Sequence, residues 1–132
     1  MTQKNIDIMD IIVSKMVEGD KLSKALSRVY ATRNVAIPYG AADLDVSVLD
    51  VGLSSRATRI LIRTKLMTLG DVVAFCQTQK LTNIVNMGSN TAIEVFEAIL
   101  DYCWEHMSHK ERVSFLIDTV ERNSGYVREG IV

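Results

Sequence analysis

The sequence predicts a mainly α protein, and three observations carry that expectation. Apolar residues recur at helical spacing through most of the chain, its 132 residues include a single proline, and residues suited to starting or stopping helices fall between the apolar periods. Hydrophobic residues make up 48% of the chain, which suits a globular core and excludes a disordered segment.

Residues Asn5 to Glu18 place Ile8, Met9, Ile11, Ile12 and Met16 at helical spacing, and Gly19 stops the run. Asp20 is the candidate cap of a second helix, which buries Leu22, Ala25, Leu26, Val29 and Tyr30 and exposes Lys21, Lys24 and Arg28. Two amphipathic helices joined by so short a turn pack as a hairpin. From Asn34 to Leu53 the pattern changes. Pro38, Gly40 and Gly52 punctuate alternating stretches that suit an extended connector or a short strand pair, with Tyr39, Val46, Val48 and Leu49 as packing residues.

Ser54 or Ser55 caps a third helix in which Ala57, Ile60, Leu61 and Thr64 share one face. Arg56, Arg59 and Arg63 fall together about a third of a turn away, with no carboxylate at i±4 to pair them. Thr68 and Asp71 have capping-box spacing and start a short helix through Phe75; another helical turn covers Gln79 to Ile84. The stretch NMGSNT then opens a long helix, with Thr91 and Glu94 as its capping box and Ala92, Val95, Phe96, Ile99, Leu100, Cys103 and Met107 inward. Ser108 and Glu111 cap a last helix that buries Val113, Leu116, Ile117 and Val120 and ends near Asn123-Ser124-Gly125. The tail to Val132 is expected to be mobile.

The formal net charge is -1, but it is unevenly spread. Residues 51 to 93 carry Arg56, Arg59, Arg63, Lys65 and Lys80 against Asp71 alone, while residues 94 to 132 hold four basic and eight acidic side chains. A locally basic face attracts phosphates whatever the total charge. A short glycine turn at a helix start leaves backbone N–H groups free to hold a phosphate; Gly88 has no side chain in the way, and the hydroxyl and amide side chains after it can donate to phosphate oxygens. Nucleic-acid binding through a helix-hairpin-helix-like core beside an arginine stripe is therefore expected.

Other chemistry finds little support. Cys76 and Cys103 have no CxxC spacing and read as core thiols of a cytosolic protein. His106 and His109 stand three apart with no Cys, Asp or Glu completing a metal set, and there is no nucleophile elbow, P-loop or dinucleotide fingerprint. No enzymatic activity, cofactor, metal or small-molecule substrate is expected. No apolar run approaches the roughly 20 residues a membrane span needs, and no charged leader precedes one, so the expectation is a soluble, cytoplasmic protein without a membrane partner.

LDVGLSSRATRILIRTKLMTLGDVVAF followed by LTNIVNMGSNTAIEVFEAIL resembles the C-terminal domain of the bacterial RNA polymerase alpha subunit. That family shows L-S-x-R-x-x-N-x-L, a T-x-G-D-L turn, and N-x-G-x-K-S before its last helix. The resemblance spans residues 44 to 103 and implies a compact helical domain that binds the minor groove of A·T-rich promoter DNA and touches transcription activators. Arg56 matches the family's groove-inserting arginine, and Asn86 and Gly88 match directly. Arg59 stands at an asparagine position, Ile60 where a small residue is usual, Thr91 replaces a serine and Asn90 a lysine. The implied DNA-binding set is Arg56, Arg59, Ile60, Asn86, Gly88, Asn90 and Thr91.

The expected division is an N-terminal helical hairpin and connector over 1–43, the alpha C-terminal-like domain over 44–107, and a C-terminal helix and tail over 108–132. Since only a hairpin and a connector precede the match, the expectation is a stand-alone relative, an accessory factor on double-stranded DNA that touches RNA polymerase, a sigma factor or an activator. The competing expectation is a protein–protein interaction module of the same fold that docks on the transcription machinery without binding DNA, with Glu94, Glu97, Asp101 and Glu105 as its contact face.

Overall fold

Six α-helices, three short 3-10 turns and two isolated β-bridges are present among the described residues, 1–31 and 45–132, of the structure, a computed structural model. Most of the connector, Tyr39 included, lies outside the described residues. The chain divides into two compact units. Met1–Ala41 and Trp104–Val132 form the first, and Ala42–Cys103 forms the second. The N-terminal hairpin and the C-terminal helix, remote in sequence, thus belong to one unit.

In the first unit α1 (Gln3–Val17) packs on α2 (Leu22–Val29) and on α6 (His109–Arg122). Thr2 caps α1 by accepting from the Asn5 N–H, and Ile8 and Ile12 are fully buried. Its C-terminus is a Schellman motif: Gly19, at φ 117°, donates to the Met16 carbonyl and Asp20 to the Lys15 carbonyl. Asp20 does not cap α2 as the sequence suggests. Lys21 holds that position without a side-chain bond, because the Asp20 carboxylate instead accepts from Arg28 Nε at 2.6 Å, a charge-assisted bond that outcompetes a cap.

The buried stripe of α6 is rotated from the expected one. Phe115, Leu116, Thr119 and Val120 face inward, while Val113 is exposed and Ile117 half-buried. The Phe115 ring lies 6.3 Å from that of Trp104, and the Arg112 guanidinium sits 4.9 Å over the Trp104 ring, which turns this side of the helix inward. The expected mobile tail is instead pinned. Val127 bridges Tyr30, the Arg128 N–H donates to the Val29 carbonyl at 2.8 Å, and the Arg128 guanidinium donates twice to the Ser27 carbonyl. These donors satisfy carbonyls that the end of α2 leaves without helical partners. Tyr30 is wholly buried, its hydroxyl has no hydrogen-bond partner among the described residues, and burial pushes its phenol up to about 12.

The second unit holds α3 (Ser55–Arg63), α4 (Leu69–Thr78) and most of α5 (Ser89–Glu105). Ahead of them, Ser47 bridges Thr68, and this one bridge is what the described part of the expected strand pair amounts to. Val48 is buried, but Leu49 is 65% exposed and not a packing residue. Ala57, Ile60 and Leu61 are buried as the periodicity requires, whereas Thr64 is exposed and closes α3 with its hydroxyl on the Ile60 carbonyl. The Thr68–Asp71 capping box forms, and α4 continues to Thr78. Cys76 is exposed on α4, contrary to its reading as a core thiol; Cys103 is buried, and its thiol is pushed up to about 11. Among the described residues no helix is long and apolar enough to cross a membrane, and no group of three or more His, Cys, Asp or Glu is placed to hold a metal ion.

Candidate functional site

Arg56, Arg59 and Arg63 all lie on the exposed side of α3, opposite the buried Ala57 and Leu61. Among the described residues none of the three meets a carboxylate. Arg59 Nε reaches the Ser55 carbonyl of its own helix at 3.4 Å, a long bond. Three guanidiniums on one stripe repel one another mildly unless an anion lies between them. Lys65 adds a fourth charge at the end of the helix, and it does so in the left-handed region at φ 63°. There it completes a Schellman motif, its N–H on the Ile62 carbonyl and the next N–H, of Leu66, on that of Leu61.

The second half of the site is the turn into α5. The Met87 N–H donates to the Ile84 carbonyl at 3.0 Å, and Asn86 sits in the left-handed region at φ 68°. That is the type II pattern, whose third position takes glycine or asparagine. The fold itself therefore accounts for Asn86. Gly88 differs, since its φ is unremarkable and a Cβ there would meet nothing within 4 Å. Neither the turn nor the packing demands a glycine at that position.

The helix start departs from expectation. Because the Ala92 N–H already donates to the Gly88 carbonyl at 3.0 Å, α5 begins at Ser89, and Thr91 and Glu94 lie inside it and form no capping box. The N–H groups of Ser89, Asn90 and Thr91 are the ones an α-helix leaves without internal acceptors, at the positive end of its dipole. Glu94 is free for another role and accepts from the Ser54 hydroxyl at 2.8 Å. Ser54 also caps α3 by accepting from the Ala57 N–H. One serine thus ties the start of α3 to the second turn of α5. Asn90 precedes Glu94 by one helical turn, on the same face.

Comparisons with protein-family models, with curated proteins and with solved structures find no match.

Among the described residues the arginine stripe meets no carboxylate, and the link from its helix to α5 is the Ser54–Glu94 bond; a guanidinium stripe and a helix start are each suited to holding anions. Arg56, Arg59, Gly88 and Asn90 are exposed and Thr91 is half-buried. Ile60 is only 6% exposed and belongs to the packing, so it offers a partner little surface. The site set read from the sequence omits the pairing of Ser54 with Glu94, which links positions 40 apart. It also omits a groove lined by Arg63, Phe75, Gln79, Asn83 and Val85 together with Ile60 and Asn86. The one sequence signal for that groove is the apolar pair Ile84-Val85 between Asn83 and Asn86, of which the structure buries Ile84 and leaves Val85 80% exposed.

Proposed function

We propose that the second unit is a DNA-binding transcription module of the RNA polymerase alpha C-terminal type, with α4, the turn at Asn86 and the start of α5 acting as a helix-hairpin-helix element. The observation that carries this reading is the Arg56–Arg59 stripe, which meets no carboxylate among the described residues and lies on a helix whose cap, Ser54, is tied through Glu94 to the second turn of α5. In this proposal Arg56 enters the minor groove of A·T-rich DNA, where the narrow groove concentrates negative potential. Arg59 and the groups at Asn90 and Thr91 hold flanking phosphates, and Gly88 lets a phosphate approach the backbone. Asn86 shapes the turn, and Ile60 supports the helix from inside.

Anisotropy titration of the full chain against A·T-rich and G·C-rich duplexes at low salt tests this. The A·T-rich duplex should bind more tightly, and Arg56→Ala should weaken binding by about 1–3 kcal/mol. Absence of duplex binding at low salt ends the proposal. A second reading, docking on polymerase, a sigma factor or an activator without DNA, is favoured by Asn90, which brings no charge to the helix start where the resembled family has lysine. In that case Arg56→Ala leaves capture of polymerase unchanged, and neutralising Glu97 and Glu105 abolishes it.

A further inference from the structure

A groove of about 350 Å³ opens within the second unit where the end of α3 faces the end of α4 and the segment before α5. Ile60 and Ile84 are buried in its floor, and Phe75 and the largely exposed Val85 extend the apolar surface. The exposed amides of Gln79, Asn83 and Asn86 border it. Arg63 is its one charged lining residue, and among the described residues that guanidinium meets no carboxylate.

We propose that this groove binds a short extended peptide from a partner protein, one that carries a carboxylate beside an aliphatic side chain. The charge sets the sign of the ligand: a lone guanidinium fork at an apolar wall calls for a planar anion that it can grip with two parallel bonds. The wall sets its other half, because Phe75, Ile84 and Val85 offer contact to an aliphatic side chain, which a phosphodiester strand does not present. The three amides each carry donors and an acceptor, the combination that pairs with the N–H and C=O of a peptide backbone. The volume stands at the lower end of the roughly 300–1,000 Å³ typical of ligand sites, enough for one or two side chains and too small for a helix face. Arg63 is the end of the arginine stripe, but Arg56, Arg59 and the start of α5 do not line the groove, so peptide binding here and duplex binding at Arg56 and Arg59 are separable.

The test is a titration of the ¹⁵N-labelled full chain with an acetylated, amidated hexapeptide of alternating aspartate and leucine, with its lysine–leucine counterpart, and with an A·T-rich duplex. The aspartate peptide should shift the backbone amides of Arg63, Asn83, Val85 and Asn86 saturably, and the lysine peptide should not. Arg63→Gln should weaken the aspartate peptide about tenfold, and Val85→Ser severalfold; both positions are exposed, so the fold survives either change. Arg56→Ala should leave the peptide affinity unchanged. No saturable shift, equal binding of the lysine peptide, or undiminished binding by Arg63→Gln overturns the proposal. So does a duplex that shifts these same amides where the aspartate peptide does not, since the groove would then belong to a nucleic-acid surface. Failure of duplex binding alone ends the DNA proposal and leaves this one standing.

Discussion

In the first unit Arg28 holds the Asp20 carboxylate at 2.6 Å, Arg112 donates to the Trp104 and Glu105 carbonyls at the end of α5, and Arg128 donates twice to the Ser27 carbonyl. In the second, Arg56 and Arg63 make no such bond among the described residues, and Arg59 makes only the long one to Ser55. The first set satisfies groups that folding would otherwise leave bare. The second set meets no carboxylate among the described residues and places three like charges along one stripe, whose repulsion an anion would relieve.

The largest expected effect separates the two sets directly. Arg112→Ala removes the 2.9 Å hydrogen bond to the Trp104 carbonyl, a long one of 3.4 Å to the Glu105 carbonyl and a cation–π contact, and should lower unfolding free energy by about 2 kcal/mol. Arg56→Ala and Arg63→Ala should each stay within about 0.5 kcal/mol of the parent in the same urea titration. Equal destabilisation by Arg63→Ala and Arg112→Ala would break the comparison.

A smaller effect sharpens it. Helices α1 and α3 end in the same Schellman motif, yet one uses Gly19 and the other Lys65 in the left-handed region. A side chain there is strained, so Lys65→Gly should raise stability by about 0.5–1 kcal/mol, read as a higher midpoint in thermal melting.

The smallest effect is shared by the two units and serves as their control. The Met67 and Thr68 N–H groups hold Asp71 below the ordinary carboxylate range, and the Ser108 N–H does the same for Glu111. Each carboxylate titrates lower folded than unfolded, so its stabilisation is complete above the unfolded value and is lost as pH falls through the folded one. The protection factors of the Thr68 and Ser108 amides, taken against intrinsic exchange at each pH, should therefore fall together as the solution is taken below the ordinary carboxylate range. A fall at one alone would show that the two capping boxes are not equivalent.

What the sequence made legible was local. The Thr68–Asp71 and Ser108–Glu111 boxes, the Ser54 cap, the stop at Gly19, the inward face of α2 and, Thr64 excepted, that of α3 follow from spacing within a turn or two. What it hid depends on partners far along the chain or on competition between near ones. Glu94 has capping-box spacing from Thr91, but it is taken by Ser54, 40 positions away. Asp20 stands where a cap belongs, but Arg28 holds it. The last residues read as a mobile tail, and only contact with Ser27, Val29 and Tyr30 reveals them as a strap. The candidate site follows the same rule: its arginine stripe was legible from helical spacing, whereas the burial of Ile60 and the groove beside it required the fold.

The most direct test of the account is the affinity of the parent, Arg56→Ala and Arg112→Ala proteins for one A·T-rich duplex, measured by anisotropy from low to moderate salt. The parent should bind with an affinity that falls steeply as salt rises. Arg56→Ala should bind roughly ten- to a hundredfold more weakly with an unchanged melting curve, and Arg112→Ala should melt earlier while its folded form keeps the parent affinity. Parent-like binding by Arg56→Ala, or no duplex binding by the parent at low salt, would contradict the claim that Arg56 and Arg59 serve DNA binding.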